Sequence, residues 1–368
     1  MRVAVLGGGP AAGAAALRLA RGGLEATLFH PEQRGEKPCG GAVPGYLIRE
    51  IEGFDVALVP SVAVRRARLE NAAGRLLELD LSGLRIFRRA DFDRALVDAA
   101  IRAGAVRRAE KVRRLDWRAG SPRLETDSGR LEFDWVIAAD GARGLSRRAL
   151  GLRPCGESIG LGASIPGLEV EVLTLGFPHL GDAYLWIFPR PGGCSVGIAY
   201  SESKLSTGAA RNCLSAFLER HLSISFDEIL GSRYRYPIPV YSSAVREALT
   251  RALARGILLT GDAASLADPL TREGIRYAVR SGRWAAEALL EGSPQGYGER
   301  LIDEMDGDLR RALRARELFF EDPVGQWMVP VCDYHPGIRR VLSDLLTGEQ
   351  PYRGLRRRLL GAALGAGR

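Results

Sequence analysis

The sequence has no apolar run long enough to cross a bilayer, which argues against a membrane-embedded chain. Lysine is scarce as well: only Lys37, Lys111 and Lys204 among 52 basic residues. The net charge of +8 is therefore mostly arginine, scattered from end to end without a recognition module or interleaved aromatics, so a nucleic-acid partner is not expected. Cysteine is sparse and unpaired in pattern. Cys39, Cys155, Cys194, Cys213 and Cys332 form no C-x-x-C motif, and their odd count implies reduced thiols. The first residues, "MRVAVLGGGP", read as a strand and not as a signal peptide, so the expectation is a cytoplasmic protein. Repeats, low-complexity stretches and a flexible linker are lacking too. What remains is an ordinary globular composition, 46% hydrophobic and 26% charged, over a length suited to two or three domains.

The chain opens with strand, glycine turn, helix and strand. Gly7-Gly8-Gly9-Pro10-Ala11-Ala12-Gly13 matches G-x-G-x-x-G: Gly7 for the sharp turn, Gly9 for close approach of a pyrophosphate, Gly13 for close helix–strand packing. Pro10, Ala11 and Ala12 open a helix whose N-terminus faces the phosphates. The alternative is a glycine turn that only packs. An acid is expected at the end of the second strand to hold the adenosine ribose, but His30 stands there; Glu32, two residues on, is the expected substitute.

A second strand-turn-helix lies far downstream, in "GILLTGDAASLADPLTREGI". A cofactor too long for one unit needs another, and flavin adenine dinucleotide (FAD) fits that description. Asp262 would accept hydrogen bonds from the ribityl hydroxyls, and the helix starting near Gly274 and Ile275 would aim its positive end at the flavin's pyrimidine edge. No metal site is expected. Between the two units, "VAVRRARLENAAGRLLELDL" predicts a hairpin around Asn71 to Gly74, and "RADFDRALVDAAIRAGA" predicts an amphipathic helix. "AYLWIFPRPGGCSVGIAYSE" predicts a second hairpin at Pro191-Gly192-Gly193. Leu301, Met305, Leu309 and Leu313 recur at four-residue steps, so the C-terminal part is helical. The predicted class is α/β. A Rossmann-like FAD-binding domain (1–60, 88–155 and 250–295) interleaves with a β-rich substrate domain (61–87 and 156–249), followed by a helical region (296–368).

Four ordered segments resemble the geranylgeranyl reductases, within the para-hydroxybenzoate hydroxylase fold of flavoproteins. They are "GGGPAAG", "EKPCGG", "AADGARGLSRRALG" and "TGDAASLADPLTREGIRYAVRSG". "GDAYLWIFPR" is also similar to the reductases' P-x-x-Y-x-W-x-F-P-K element, with Gly181 and Arg190 departing from it. The resemblance implies a K-P-C-G-G loop beside the flavin, carrying Cys39 and Gly40. Cys39 is then a proton donor or a wall of the substrate pocket; the plainer alternative is a small apolar filler. It also implies that Arg89 contacts the cofactor and that Val112 offers backbone groups to the adenine. Arg272 replaces a family glycine: its guanidinium would stabilise the reduced flavin or point to solvent. Tyr184, Trp186 and Phe188 share one strand face and form an apolar wall for a hydrocarbon, or else pack only into their own core.

The implied activity is hydride transfer from reduced flavin to carbon–carbon double bonds of an isoprenoid chain. NAD(P)H or reduced ferredoxin is the expected donor. An NAD(P)H-dependent aromatic hydroxylase of the same fold, or a non-redox flavin-binding protein, are the alternatives. The basic tail "PYRGLRRRLLGAALGAGR" packs on its own domain through Leu355, Leu359 and Ala363, or lies on an anionic membrane surface.

Overall fold

The computed structural model describes residues 1–31, 36–152, 158–229, 232–321 and 324–364. Strands and helices are numbered along the chain. Five short segments form a parallel sheet in the order β16 (Ile257–Leu259), β10 (Trp135–Ala138), β1 (Arg2–Leu6), β2 (Glu25–Phe29) and β6 (Val106–Arg108). Val3 to Leu6 and all of β16 are buried, so these strands read as unbroken apolar runs and not as alternation.

Helix α1 (Pro10–Arg21) packs between α3 (Arg89–Arg102) and α7 (Ile275–Leu290). Small residues permit this. A Cβ on Gly13 would come within 2.7 Å of Leu96 in α3, and one on Gly282 within 2.2 Å of the Ala11 carbonyl oxygen. The close approach at Gly13 is thus to a helix, where the sequence suggested a strand.

The second sheet has eight strands, in the order β15 (Arg233–Ile238), β11 (Ser158–Pro166), β14 (Gly193–Ser201), β13 (Tyr184–Arg190), β12 (Leu173–Gly176), β4 (Ser61–Glu70), β5 (Leu76–Phe87) and β3 (Ala42–Pro44). All neighbours are antiparallel except β12 and β4. β3 comes from within the first stretch assigned to the cofactor domain, yet it pairs with β5. One face of the sheet buries Leu185 and Ile187 against Leu214 and Phe217 of α5 (Thr207–Leu222). The other face carries Tyr184, Trp186 and Phe188 toward the parallel sheet and the C-terminal helices. A meander of β7 (Val112–Arg118), β8 (Ser121–Thr126) and β9 (Gly129–Glu132) leads back into β10.

Short helices α2 (Gly45–Arg49), α4 (Leu145–Ala149) and α6 (Val245–Leu253) fill the joints. After α7, α8 (Pro294–Leu301) runs through a π turn (Ile302–Asp306) into α9 (Gly307–Glu321). That turn explains the four-residue spacing: Leu301, Met305 and Leu309 all stay buried because the π turn is wider than 3.6 residues. Beyond it, Ala312 takes the buried position and Leu313 is half-buried. α10 (Val324–Tyr334), α11 (Pro336–Thr347) and α12 (Leu355–Ala363) complete the described chain. The α/β class, with its interleaved sheets and helical C-terminal region, is as the sequence indicated.

Candidate functional site: a cleft joined to an apolar cavity

The glycine turn forms one end of a cleft between the two sheets. Gly7 has φ +113°, and a Cβ there would lie 2.3 Å from the Ala139 carbonyl oxygen, so only glycine fits. Gly9 caps α1 without a side-chain bond and Pro10 takes the first helical position. The first N–H groups of α1 therefore keep their capacity to bind an anion. Gly9, Pro10 and Ala11 line the cleft, whereas Gly7, Ala12 and Gly13 support it from behind. His30, at the end of β2, packs its imidazole directly against Gly8: a Cβ there would meet the ring at 2.1 Å. Burial, and then Arg107, lower its pKa. Glu32 lies outside the described residues. Val112 opens β7 and is not among the residues that line the cleft.

Across the cleft, Asp262 sits on a one-turn 3-10 helix (Gly261–Ala264) directly after β16. Lys37 reaches it at 3.2 Å, so the E-K-P-C-G-G loop and the second unit meet here. That loop is anchored twice more. The Glu36 carboxylate accepts from the backbone N–H of Arg89 (2.6 Å) and Ala90 (3.2 Å) at the N-terminus of α3, where negative charge is favoured. It also pairs with Arg190 at 3.3 Å. Arg89 lines the cleft, but its guanidinium is committed to Asp93 through two bonds of 2.9 and 2.8 Å inside α3. Burial opposes its charge, yet Asp93 and Cys39 outweigh that and raise its pKa. Arg89 thus lines the cleft with its guanidinium held by Asp93.

Cys39 is half-buried, with its Sγ 3.3 Å from the Gly41 N–H, which donates to it. A relay fixes the loop above β13: the Trp186 indole N–H donates to Ser195 Oγ (3.2 Å), whose hydroxyl donates to the Cys39 carbonyl (3.4 Å). Phe188 presses on Gly40, where a Cβ would lie 2.5 Å from the ring. The Tyr184 hydroxyl donates to the Thr271 carbonyl at 2.8 Å, and burial pushes its pKa up to about 12. The three aromatics do share a face, with the Tyr184 and Trp186 ring centroids 6.2 Å apart.

Two more rings, Tyr234 and Tyr236 of β15, complete this wall; they were not singled out from the sequence. They stand opposite Gly162 and Gly160 of β11, which leave room for them. The alternating tyrosines of "RYRYPI" beside the alternating glycines of "SIGLGAS" carry the signal.

The D-G segment divides its labour. Ala139 and Gly141 line the cleft, whereas the Asp140 carboxylate turns to the backbone N–H and hydroxyl of Ser146 and holds α4. Arg147 of α4 donates to the Ala263 carbonyl at 2.8 Å, which ties this segment to the Asp262 turn.

Gly274 and Ile275 start α7 at the cleft wall, and Glu273 accepts from the Arg276 N–H at 2.7 Å. Arg272 has φ +55°, the left-handed conformation that explains a glycine in the reductase motif. Its side chain does not point to solvent: with Asp182 it forms an ion pair at 2.9 Å in which both side chains are 1% exposed. Nε also donates to Ser158 Oγ at 2.6 Å. Arg316 of α9 joins Asp182 from the other side. Burial lowers the Arg272 pKa against the pull of Asp182.

Behind this wall opens a second cavity of ≈ 230 Å³. Leu69, Leu81, Leu173 and Leu175 line its sheet side, and Phe319, Phe320, Leu342 and Leu346 of α9 and α11 roof it. It exceeds the roughly 150 Å³ apolar cavity that admits a benzene ring, so it has room for part of a hydrocarbon chain. Cys39, Gly40, Tyr184, Phe188, Gly274 and Ile275 face both spaces. Trp186 faces the cleft alone, and its burial beside Gly197 makes it a core residue as well.

Among the described residues, no cluster of His, Cys, Asp and Glu could hold a metal ion, and no helix is long and apolar enough to cross a membrane.

No family model matches the chain. It is 29% identical over 344 residues to the chloroplastic geranylgeranyl diphosphate reductase of Arabidopsis thaliana, covering 85% of this chain and 70% of that protein. It is 28% identical over 349 residues to digeranylgeranylglycerophospholipid reductase 2 of Methanopyrus kandleri, covering 87% and 86%. Among solved structures, a geranylgeranyl bacteriochlorophyll reductase-like protein from Thermoplasma acidophilum superposes with a TM-score of 0.72 at 23% identity, covering 86% of each chain. A halogenase mutant in complex with FAD shares the fold at a TM-score of 0.62 and 17% identity, covering 85% and 74%. The resemblance read from the four segments is borne out: the chain is related along most of its length to geranylgeranyl reductases. It is an oxidoreductase on the fold of FAD-binding flavoproteins.

Proposed function

We propose that the protein reduces carbon–carbon double bonds of an isoprenoid chain, geranylgeranyl or longer, with non-covalent FAD in the cleft. One observation carries the reading: the cleft between the two nucleotide-binding units shares a wall with a leucine- and phenylalanine-lined cavity. The residues present suit FAD. The uncapped start of α1 beside Gly9 suits a pyrophosphate, and Asp262 at the end of a second strand suits ribityl hydroxyls, with Lys37 giving way. Val112 would present backbone groups to the adenine. His30 and Glu32 stand where the ribose acid is expected. When bound, FAD supplies the hydride that reaches one alkene carbon.

The protein's own part is to position and to protonate. Gly274 and Ile275 offer the α7 N-terminus to the pyrimidine edge, where it favours negative charge. Tyr184 and Phe188 hold the prenyl chain against the cleft and exclude water. Cys39, beside Arg89 and open to both spaces, gives its proton to the second alkene carbon. An isolated alkene carbon is not electrophilic, so this proton is required. Arg272 places a buried positive charge behind Tyr184, its Cζ 5.3 Å from the ring centroid. The apolar walls support this reading over a compact polar pocket for a small phenol.

The test is product analysis. Incubation of the flavin-loaded protein with a geranylgeranyl compound is expected to give products heavier by two hydrogens per double bond reduced. NAD(P)H and reduced ferredoxin, supplied separately, identify the donor. Absence of hydrogenated product with either donor, and with dithionite, contradicts the proposal.

A further inference from the structure

Helix α12 packs on α11, with Gly337 about 3.1 Å from where Ala362 lies when a Cβ is placed on the glycine. Leu355 and Leu359 are half-buried on that side. The outward side is not polar. Leu360 is 65% exposed and Leu364 83% exposed, and the Leu364 N–H donates to the Leu360 carbonyl at 3.0 Å, so the two stack one turn apart. At roughly 100° per residue, Arg356 and Arg357 flank these leucines on the same face, and both are exposed. No acidic side chain occurs between residues 350 and 364.

The neighbouring helices repeat the theme. Of the eleven large hydrophobic side chains exposed among the described residues, five lie between residues 307 and 364, less than a sixth of the chain. The other three are Leu318, Val331 and Tyr334. Two of the helices in this span, α9 and α11, also roof the apolar cavity.

We infer that this helical face docks on an anionic lipid bilayer, with Leu360 and Leu364 inserted and Arg356 and Arg357 on the headgroups. The charge pattern of α12 selects this occupant: Leu360 and Leu364 flanked by Arg356 and Arg357, with no acid on that segment, match an interfacial helix on anionic lipid. The inference deepens the isoprenoid reading by naming the surface from which a lipid-borne chain comes, next to the helices that cover its cavity.

Sedimentation of the full-length holoprotein with vesicles, in the absence of any prenyl compound, tests it independently of catalysis. The protein is expected to pellet with phosphatidylglycerol vesicles and far less with phosphatidylcholine, with binding that weakens in salt. Replacing Leu360→Glu and Leu364→Glu together is expected to weaken binding at least about tenfold, the scale of one leucine burial. Flavin content and turnover of detergent-dispersed substrate stay at the wild-type level. Replacing Arg356→Gln and Arg357→Gln is expected to cost about fivefold per arginine on phosphatidylglycerol alone. The inference is overturned if the wild type stays in the supernatant, or if the Leu360/Leu364 variant pellets as the wild type does. It is equally overturned if the wild type is a dimer that the leucine variant dissociates, since the face then belongs to a second copy.

Discussion

At the residue scale, the carboxylates and arginines of the cleft are distinguished by what already holds them. Asp262 lines the cleft and pairs with Lys37 at its mouth, each side chain partly exposed. Asp262→Ala is expected to lower flavin retention several-fold with little change in the melting temperature of the apoprotein, checked by absorbance after gel filtration. Arg272 is the opposite case. Its left-handed backbone costs on the order of 1 kcal/mol, which Arg272→Gly relieves. Breaking a buried ion pair costs about 3–5 kcal/mol when the partner is left uncompensated; Arg316 still pairs with Asp182, so that variant is expected to be less stable by no more than roughly 2–4 kcal/mol, read by urea denaturation.

His30 gives a pH signature. Its pKa is lowered in the folded state, so the unfolded chain takes up the proton first as pH falls below about 6.5. Stability tied to His30 is therefore present above that pH and is lost as pH falls toward the folded value. Melting temperatures of wild type and His30→Asn across this range are expected to converge on acidification. Parallel curves at all pH values contradict the assignment.

At the element scale, β13 shows what alternation can and cannot reveal. The spacing of Tyr184, Trp186 and Phe188 was legible as one face, because strand side chains alternate. Their different depths were not, since they depend on Gly197 and Ser195 of β14 and Gly40 of a distant loop. Trp186 fills the space over Gly197 and steers the Cys39 loop. Trp186→Ala is therefore expected to cost about 3–5 kcal/mol, the range for a buried aromatic, and to lower the melting temperature sharply. Phe188→Ala, which opens the wall between cleft and cavity, is expected to cost less stability and to impair turnover of long prenyl chains more than of short ones. Melting curves and a chain-length series separate the two. The glycine turn, the hairpins and α3 were readable because their signals are local. Tyr234 and Tyr236 were not picked out, because their role depends on pairing with β11 from far away in sequence.

At the scale of the whole molecule, the four motif segments interlock: Gly7 against Ala139, Lys37 with Asp262, Arg147 with Ala263, and Ala11 against Gly282. Their order along the chain made the α/β class and the cofactor cleft legible before any coordinate. The apolar cavity was hidden, because leucines from β4, β5 and β12 meet α9 and α11 only after the chain has closed. The destination of Arg272 was hidden for the same reason, since Asp182 and Arg316 lie 90 and 44 residues away in sequence.

The central claim is that cleft and cavity together bring a reduced flavin to an isoprenoid double bond. The most direct measurement is anaerobic: the protein, its flavin reduced and free of excess donor, is mixed with a geranylgeranyl compound while the flavin absorbance is followed. Return of the oxidised flavin band, matched by hydrogenated product and absent with a fully saturated chain, is the expected result. A flavin that stays reduced without oxygen, together with oxygen-consuming turnover of a small phenol, contradicts it.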